Sequence, residues 1–64
     1  MAFAENLKRF RESKGFSQKK LADLVGISQP TIAQYEMCLK VPTIVTGVIL
    51  AKVLETTCEE LVKD

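Results

Sequence analysis

The chain has 64 residues, 47% of them apolar and 27% charged, and a formal net charge of +1 at pH 7. This length allows one domain, residues 1–64, and the apolar fraction is too high for a disordered segment. The absence of long apolar runs, a signal-like leader and histidine excludes a membrane span, a secretory signal and a zinc site. We therefore expect a cytoplasmic protein with reduced cysteines, without a metal, a cofactor or a small-molecule ligand.

The first two predicted helices follow from apolar spacing and from their end residues. On the first helix, apolar side chains recur at i, i+4 and i+7: Phe3, Leu7 and Phe10. Gly15 should end this helix, because glycine readily takes the left-handed conformation of a helix end. Ser17 is the predicted cap of a second helix, which Gly26 closes.

Three further helices are predicted by their first residues. Ser28 should cap a third helix from Gln29 to about Met37, with Pro30 in the first turn, where its missing N–H does no harm. Thr43 should cap a fourth helix reaching about Leu54. Thr57 opens a capping box for a short fifth helix. The fold prediction is a compact all-α bundle of five helices.

Positive charge is concentrated at the beginning of the chain. Residues 1–20 carry six basic and two acidic side chains, a balance of +4. Residues 21–40 carry −1 and residues 41–64 carry −2, which gives the total of +1. The basic end could face a polyanion, although a solvated basic surface explains the charge equally well.

Helices two and three form a helix–turn–helix candidate over residues 18–37. Ala22 is small where the two helices should cross, and Gly26 permits the positive φ of a sharp turn. Ile27 and Ile32 should hold the helices at a fixed angle. This arrangement leaves the start of the third helix exposed and able to enter a major groove.

Residues 7–61 resemble the phage Cro and lambdoid repressor type of helix–turn–helix domain. The matching segments are Leu7–Arg11, Lys14–Gln18, Leu21-Ala22, Gly26–Gln29, Thr31-Ile32, Tyr35-Glu36 and Val41–Thr43. The resemblance implies a lambda repressor-like fold that binds operator DNA, commonly as a two-fold dimer, and regulates transcription in a bacterium or phage. An enzyme is disfavoured, since the chain offers no catalytic histidine and no phosphate-binding loop.

The resemblance also implies specific contacts. Base contacts fall on Gln29, Pro30 and Gln34, and a glutamine amide can bridge N6 and N7 of adenine. These residues could alternatively be a solvated helix face. The DNA backbone contacts fall on Gln18, Ser28, Thr31, Lys40 and Lys19, with Lys14 as a lesser candidate. Gln18 matches a phosphate anchor that often also braces the first recognition glutamine.

A structural ion pair between Arg11 and Glu36 is a further implication of the resemblance. It would tie the first helix to the end of the third. The chain departs from the family where Asn-Gly commonly follows Tyr35-Glu36, because it has Met37-Cys38 there. Gly47 replaces a large apolar residue, and Glu55 replaces a glycine that often ends helix four.

Apolar residues surround the fourth helix. At about 100° per residue, one arc, expected to face the core, contains Ile44, Gly47, Val48, Leu50, Ala51 and Leu54. The opposite arc contains Val45, Ile49 and Val53, which we expect to form a homodimer interface, with Val62 at its edge. Tolerated surface residues are the alternative.

The sequence therefore favours a sequence-specific regulator of double-stranded DNA, most simply a dimeric repressor that reads a pseudo-palindromic operator. The alternative is an antitoxin-like protein-interaction module on the same fold, in which the apolar stripe binds another protein.

Overall fold

The computed structural model describes residues 2–64, and all regular secondary structure in this range is α-helical. The helices are α1 (Ala2–Ser13), α2 (Gln18–Val25), α3 (Gln29–Glu36), α4 (Ile44–Val53) and α5 (Cys58–Val62). The all-α, five-helix prediction is confirmed. Met1, the first residue of the predicted domain, lies outside the described residues. Within residues 2–64, no helix is long and apolar enough to cross a membrane.

Side-chain hydroxyls begin four of the helices, as the sequence predicted. Each accepts a hydrogen bond from the backbone N–H three residues later, which satisfies an amide that has no partner inside the helix. The capping residues are Ser17, Ser28, Thr43 and Thr57. These caps fix where α2 and α3 start, and therefore which residues occupy the exposed beginning of α3.

Four helices end in the same left-handed turn, and two of the four use glycine. Gly15 follows α1 with a φ of 73° and Gly26 follows α2 with 87°, whereas Cys38 follows α3 with 62° and Glu55 follows α4 with 56°. In each turn the next residue donates its N–H back to the helix, at 3.1, 3.0, 2.9 and 2.8 Å respectively. This is the Schellman arrangement, which pairs carbonyls that the helix leaves free.

Every helix contributes to one apolar core. The fully buried large side chains are Leu7, Leu21, Ile32, Leu50, Leu54 and Leu61. α1 packs against α3 and α5, and α2 packs against α3 and α4. Phe3 and Tyr35 meet edge to face with ring centroids 6.1 Å apart, which joins α1 to α3. The helix–turn–helix pair is therefore held from both sides.

The prediction for the faces of α4 was partly wrong. Ile44 and Val48, expected in the core, are 86% and 38% exposed. Val53, expected at the dimer interface, instead packs against the core. Val45 and Ile49 are exposed as predicted, at 69% and 38%. Apolar residues surround this helix, so their spacing could not indicate which side its neighbours cover.

One buried polar residue, Asn6, joins the first helix to the last and was not anticipated from the sequence. Its Nδ2 donates to the carbonyl oxygens of Glu60, Leu61 and Lys63 at 3.3, 3.0 and 2.6 Å. Arg9 Nη2 donates to Asn6 Oδ1 at 3.0 Å. Asn6 therefore supplies partners to carbonyls at the end of α5, which has only five residues.

Candidate nucleic-acid interface

The outer face of α3 is polar and the inner face is apolar. Gln29, Pro30 and Gln34 are exposed. Ile32 and Tyr35 are buried in the core. At about 100° per residue, the three exposed side chains fall within an arc of roughly 140°. The predicted base-contact residues thus share one accessible surface, on a helix whose opposite side anchors it to α1 and α2.

Two hydroxyls organise the beginning of α3. Ser28 Oγ accepts the Thr31 N–H at 3.4 Å and lies 2.8 Å from Thr31 Oγ1. Each hydroxyl carries one proton, and only one proton is needed between the two oxygens. The other proton can be donated to a phosphate. The geometry thus leaves one hydroxyl of the pair, that of either Ser28 or Thr31, able to make the predicted backbone contact.

A buried network joins α1, α2 and α3 behind this surface. Glu36 accepts from Arg11 twice, at Nε (2.6 Å) and Nη2 (3.0 Å), and from Gln18 Nε2 at 3.2 Å. Arg11 Nη1 also donates to the Phe16 carbonyl at 2.7 Å. The hydrogen bond with Glu36 raises the pKa of Arg11 above its usual value, so the guanidinium stays charged. The structure thus contains the ion pair that the resemblance implied.

Comparison with known proteins agrees with this geometry. The model of the helix-turn-helix family HTH_3 matches residues 7–61. The chain belongs to this family. Its members are DNA-binding transcriptional regulators, so the recognised resemblance is confirmed at the level of family and general function.

Individual relatives give the extent of the similarity. The chain is 33% identical over 61 residues to YqaE of Bacillus subtilis (strain 168), an HTH-type transcriptional regulator. The alignment covers 95% of this chain and 53% of YqaE. The chain is also 36% identical over 61 residues to the prophage-derived regulator YonR of the same organism. That alignment covers 95% of this chain and 56% of YonR. The chain therefore spans about half the length of these curated relatives.

A solved structure matches along nearly its full length. The restriction-modification controller protein C.AhdI from Aeromonas hydrophila superimposes with a TM-score of 0.88 at 30% identity. The match covers 94% of this chain and 91% of that one. The fold of the helix–turn–helix family thus extends over nearly the whole chain and is not limited to α2 and α3.

The lysines of this family member differ in how available they are to DNA. Lys40 is exposed in the loop after α3. Lys19 is also exposed, but its Nζ lies 3.3 Å from Asp23 Oδ2, one helical turn away. Lys14 pairs with Glu55, which lowers the pKa of that carboxyl group. Lys40 is therefore the best placed of the three for a phosphate, since a phosphate would have to compete with the carboxylates for Lys14 and Lys19.

The departure from the family pattern at Met37-Cys38 alters the side chains while the left-handed turn remains. Cys38 holds a φ of 62°, a conformation that glycine adopts at less conformational expense. Met37 is 65% exposed at the end of α3. The backbone can thus still turn towards Lys40. The thioether of Met37 and the thiol of Cys38 occupy the surface where the family commonly has the amide of an asparagine and a glycine without a side chain. In residues 2–64, no cluster of histidine, cysteine and carboxylate side chains could hold a metal ion.

Proposed function

We propose that this chain is a sequence-specific, double-stranded DNA-binding repressor that acts as a homodimer in the cytoplasm of a bacterium or phage host. Residues 1–64 would form one helix–turn–helix domain. The observation that carries the proposal is the outer face of α3, where Gln29, Pro30 and Gln34 are exposed while Ile32 and Tyr35 hold the helix in place.

The chemistry of these side chains suits base recognition. A glutamine amide offers a donor and an acceptor together, which matches N7 and N6 of adenine in the major groove. Pro30 has no side-chain hydrogen-bonding group, and it would pack against a thymine methyl group. Lys40, Gln18, Ser28, Thr31 and Lys19 would contact phosphates and set the depth and orientation of α3 in the groove.

A homodimer would form through a surface on α4 made of Ile44, Val45, Val48 and Ile49, which we call the α4 apolar surface. At about 100° per residue, these four exposed side chains cover a continuous arc of roughly 140°. Pairing two such surfaces would remove apolar area from water, which a small domain needs for stability. It would also place two α3 helices about one DNA turn apart, roughly 34 Å, on a pseudo-palindromic operator. A bound dimer would repress by occupying promoter DNA.

Selection of binding sites from a random duplex pool tests the recognition surface. We expect wild-type protein to enrich an inverted repeat, and Gln29→Ala with Gln34→Ala to abolish the enrichment while weak non-specific binding remains. Lys40→Ala is the matched control, because loss of a phosphate contact should weaken binding to all sequences. It should also reduce the slope of the logarithm of the binding constant against the logarithm of the salt concentration by about one. Unchanged enrichment in the double glutamine variant would contradict this assignment.

Sedimentation equilibrium tests the dimer. Ile49→Asp places a charge in the α4 apolar surface and should convert a dimer into a monomer. Leu24→Asp is the control, since Leu24 is 45% exposed but lies on α2. A dimer that survives Ile49→Asp, or a wild-type monomer at all concentrations, would remove this interface from the proposal.

The exposed apolar residues also favour a second function, an antitoxin-like interaction module. Seven of the large exposed apolar side chains lie between residues 37 and 49: Met37, Leu39, Val41, Ile44, Val45, Val48 and Ile49. In that case a partner protein would cover this region. The interaction module is favoured if substitution of both glutamines leaves the cellular effect intact while Ile49→Asp removes it.

A further inference from the structure

The Glu36 carboxylate lies where α1, α2 and α3 meet. It belongs to the last residue of α3, yet its side chain is only 4% exposed. Its Oε2 accepts from Arg11 Nε at 2.6 Å, and its Oε1 accepts from both Arg11 Nη2 and Gln18 Nε2, at 3.0 and 3.2 Å. The carboxylate therefore restrains the side chain of Gln18 as well as that of Arg11.

The hydrogen bond to Glu36 has a fixed polarity. A carboxylate can only accept, so the Gln18 amide must turn its NH2 group, and not its carbonyl oxygen, towards Glu36. One N–H is used there, which leaves the second N–H and the carbonyl oxygen for other contacts. A phosphate is also only an acceptor, and it can therefore bind Gln18 only through that second N–H.

We propose that Glu36 is a positioning residue for DNA binding, which orients the Gln18 amide so that its second N–H meets a DNA phosphate at the amino terminus of α2. This inference rests on the proposed function, because it needs Gln18 to contact the DNA backbone. The helix amino terminus favours a phosphate at that place. Arg11 contributes by neutralising Glu36, since an unpaired carboxylate close to the phosphate would repel it.

The glutamines of the chain thereby divide into two kinds. Gln18 is half-buried and donates to a charged group, whereas Gln29 and Gln34 are exposed on α3. An exposed primary amide can exchange its oxygen and nitrogen positions by a half-turn, which helps it match different base edges. For Gln18, a fixed amide orientation should instead strengthen phosphate binding, because the flipped amide would present its carbonyl oxygen to an anion.

Side-chain amide NMR on the free chain tests the orientation without DNA. The two Nε2 protons of Gln18 should be more widely separated in chemical shift, and should exchange with water more slowly, than those of Gln29 and Gln34. Glu36→Gln should remove this difference, because a neutral amide can either donate to or accept from Gln18. Gln18 protons that resemble those of the other two glutamines in the wild-type chain would overturn the proposal.

A double-mutant cycle tests the consequence for binding. The probe is a mixed-sequence DNA duplex of about two helical turns, roughly 20 base pairs, since a phosphate contact does not depend on sequence. Glu36→Gln should weaken binding about tenfold in the wild-type background, and less than about twofold in the Gln18→Ala background. Circular dichroism at the assay temperature establishes that each variant is folded.

The outcomes separate this inference from the proposed function. Equal weakening by Glu36→Gln in both backgrounds means that Glu36 acts through the fold alone, and it overturns the positioning role. If Glu36→Gln does not fold, the Nε2 protons of Gln18 in the wild-type chain decide whether its amide is oriented by Glu36. A wild-type chain that binds no duplex at low salt overturns the proposed function, and the role in DNA binding with it, even if the Gln18 amide is restrained.

Discussion

Replacing Cys38 with glycine should give a more stable protein than replacing it with alanine, although glycine has no side chain. Cys38 holds a φ of 62° at the end of α3, and the left-handed region costs an ordinary residue about 1–2 kcal/mol. Glycine avoids that expense but gains roughly 0.5–1 kcal/mol of conformational entropy in the unfolded chain. Relative to Cys38→Ala, which also lacks the thiol, the net gain is about 0.5–1 kcal/mol of unfolding free energy. For a domain of this size it corresponds to an increase in Tm of roughly 2–8 °C.

Thermal unfolding followed by circular dichroism, under reducing conditions, measures this effect. Cys38→Ala is the matched control, because it removes the thiol and keeps the Cβ atom that disfavours positive φ. We expect the glycine variant to melt above the alanine variant, because both lack the thiol and only alanine keeps the strained Cβ atom. If the alanine variant melts at the same temperature as the glycine variant, or above it, backbone strain at Cys38 is not a source of instability.

Three further predictions concern stability. Gly47→Ala should raise the unfolding free energy by about 0.5–1 kcal/mol in urea titrations, because a Cβ atom there meets nothing within 4 Å and alanine favours a helix. A decrease would mean that the added methyl group is not accommodated. Asn6→Ala should lower the unfolding free energy by about 1–3 kcal/mol in the same assay, because carbonyls at the end of α5 lose their donor. An unchanged midpoint of urea unfolding would show that water replaces Asn6 without loss of stability. Burial raises the pKa of Tyr35, which means that folding favours the neutral hydroxyl. The resulting contribution to the free energy of unfolding is complete below the usual pKa of about 10, and it is lost as the pH rises through the raised pKa. The Tm should therefore fall above about pH 10, and fall less in Tyr35→Phe; equal slopes in the two proteins would contradict this assignment.

Local signals in the sequence were sufficient to locate the helices. A hydroxyl residue precedes each of α2, α3, α4 and α5, and its hydrogen bond involves only the next three residues. Such signals do not depend on the rest of the fold. The orientation of α3 was also predictable, because Ile32 and Tyr35 lie on one side of the helix and the polar glutamines on the other.

Features that depend on distant neighbours were not predictable in the same way. Asn6 bonds to residues 54 to 57 positions later, and Lys14 pairs with Glu55, 41 positions away. Neither pair has a pattern in the local sequence. The face of α4 could not be assigned because apolar residues lie on every side of it, and only the packing of α2 and α5 against it shows that Val53 is covered and Ile44 is exposed.

The sequence also indicated Gln18 but not its partner. The resemblance assigned it to a phosphate and to the first recognition glutamine, whereas its amide donates to Glu36 in the structure. For Glu36, the resemblance implied an ion pair with Arg11. A carboxylate with three donors is a tertiary arrangement, and the spacing of residues 11, 18 and 36 does not reveal it.

The bonds made by Asn6 have a practical consequence for handling this protein. Because α1 holds the carbonyl of Lys63, the two ends of the described chain lie together, and Ala2 and Asp64 line the same polar cleft of about 500 Å³. A short linker could therefore join the ends, and new termini could be opened in the loop between α3 and α4. Any domain fused at either end would emerge at the same place on the molecule. An affinity tag or fluorophore can thus be moved from one end to the other without changing which side of the fold it shields.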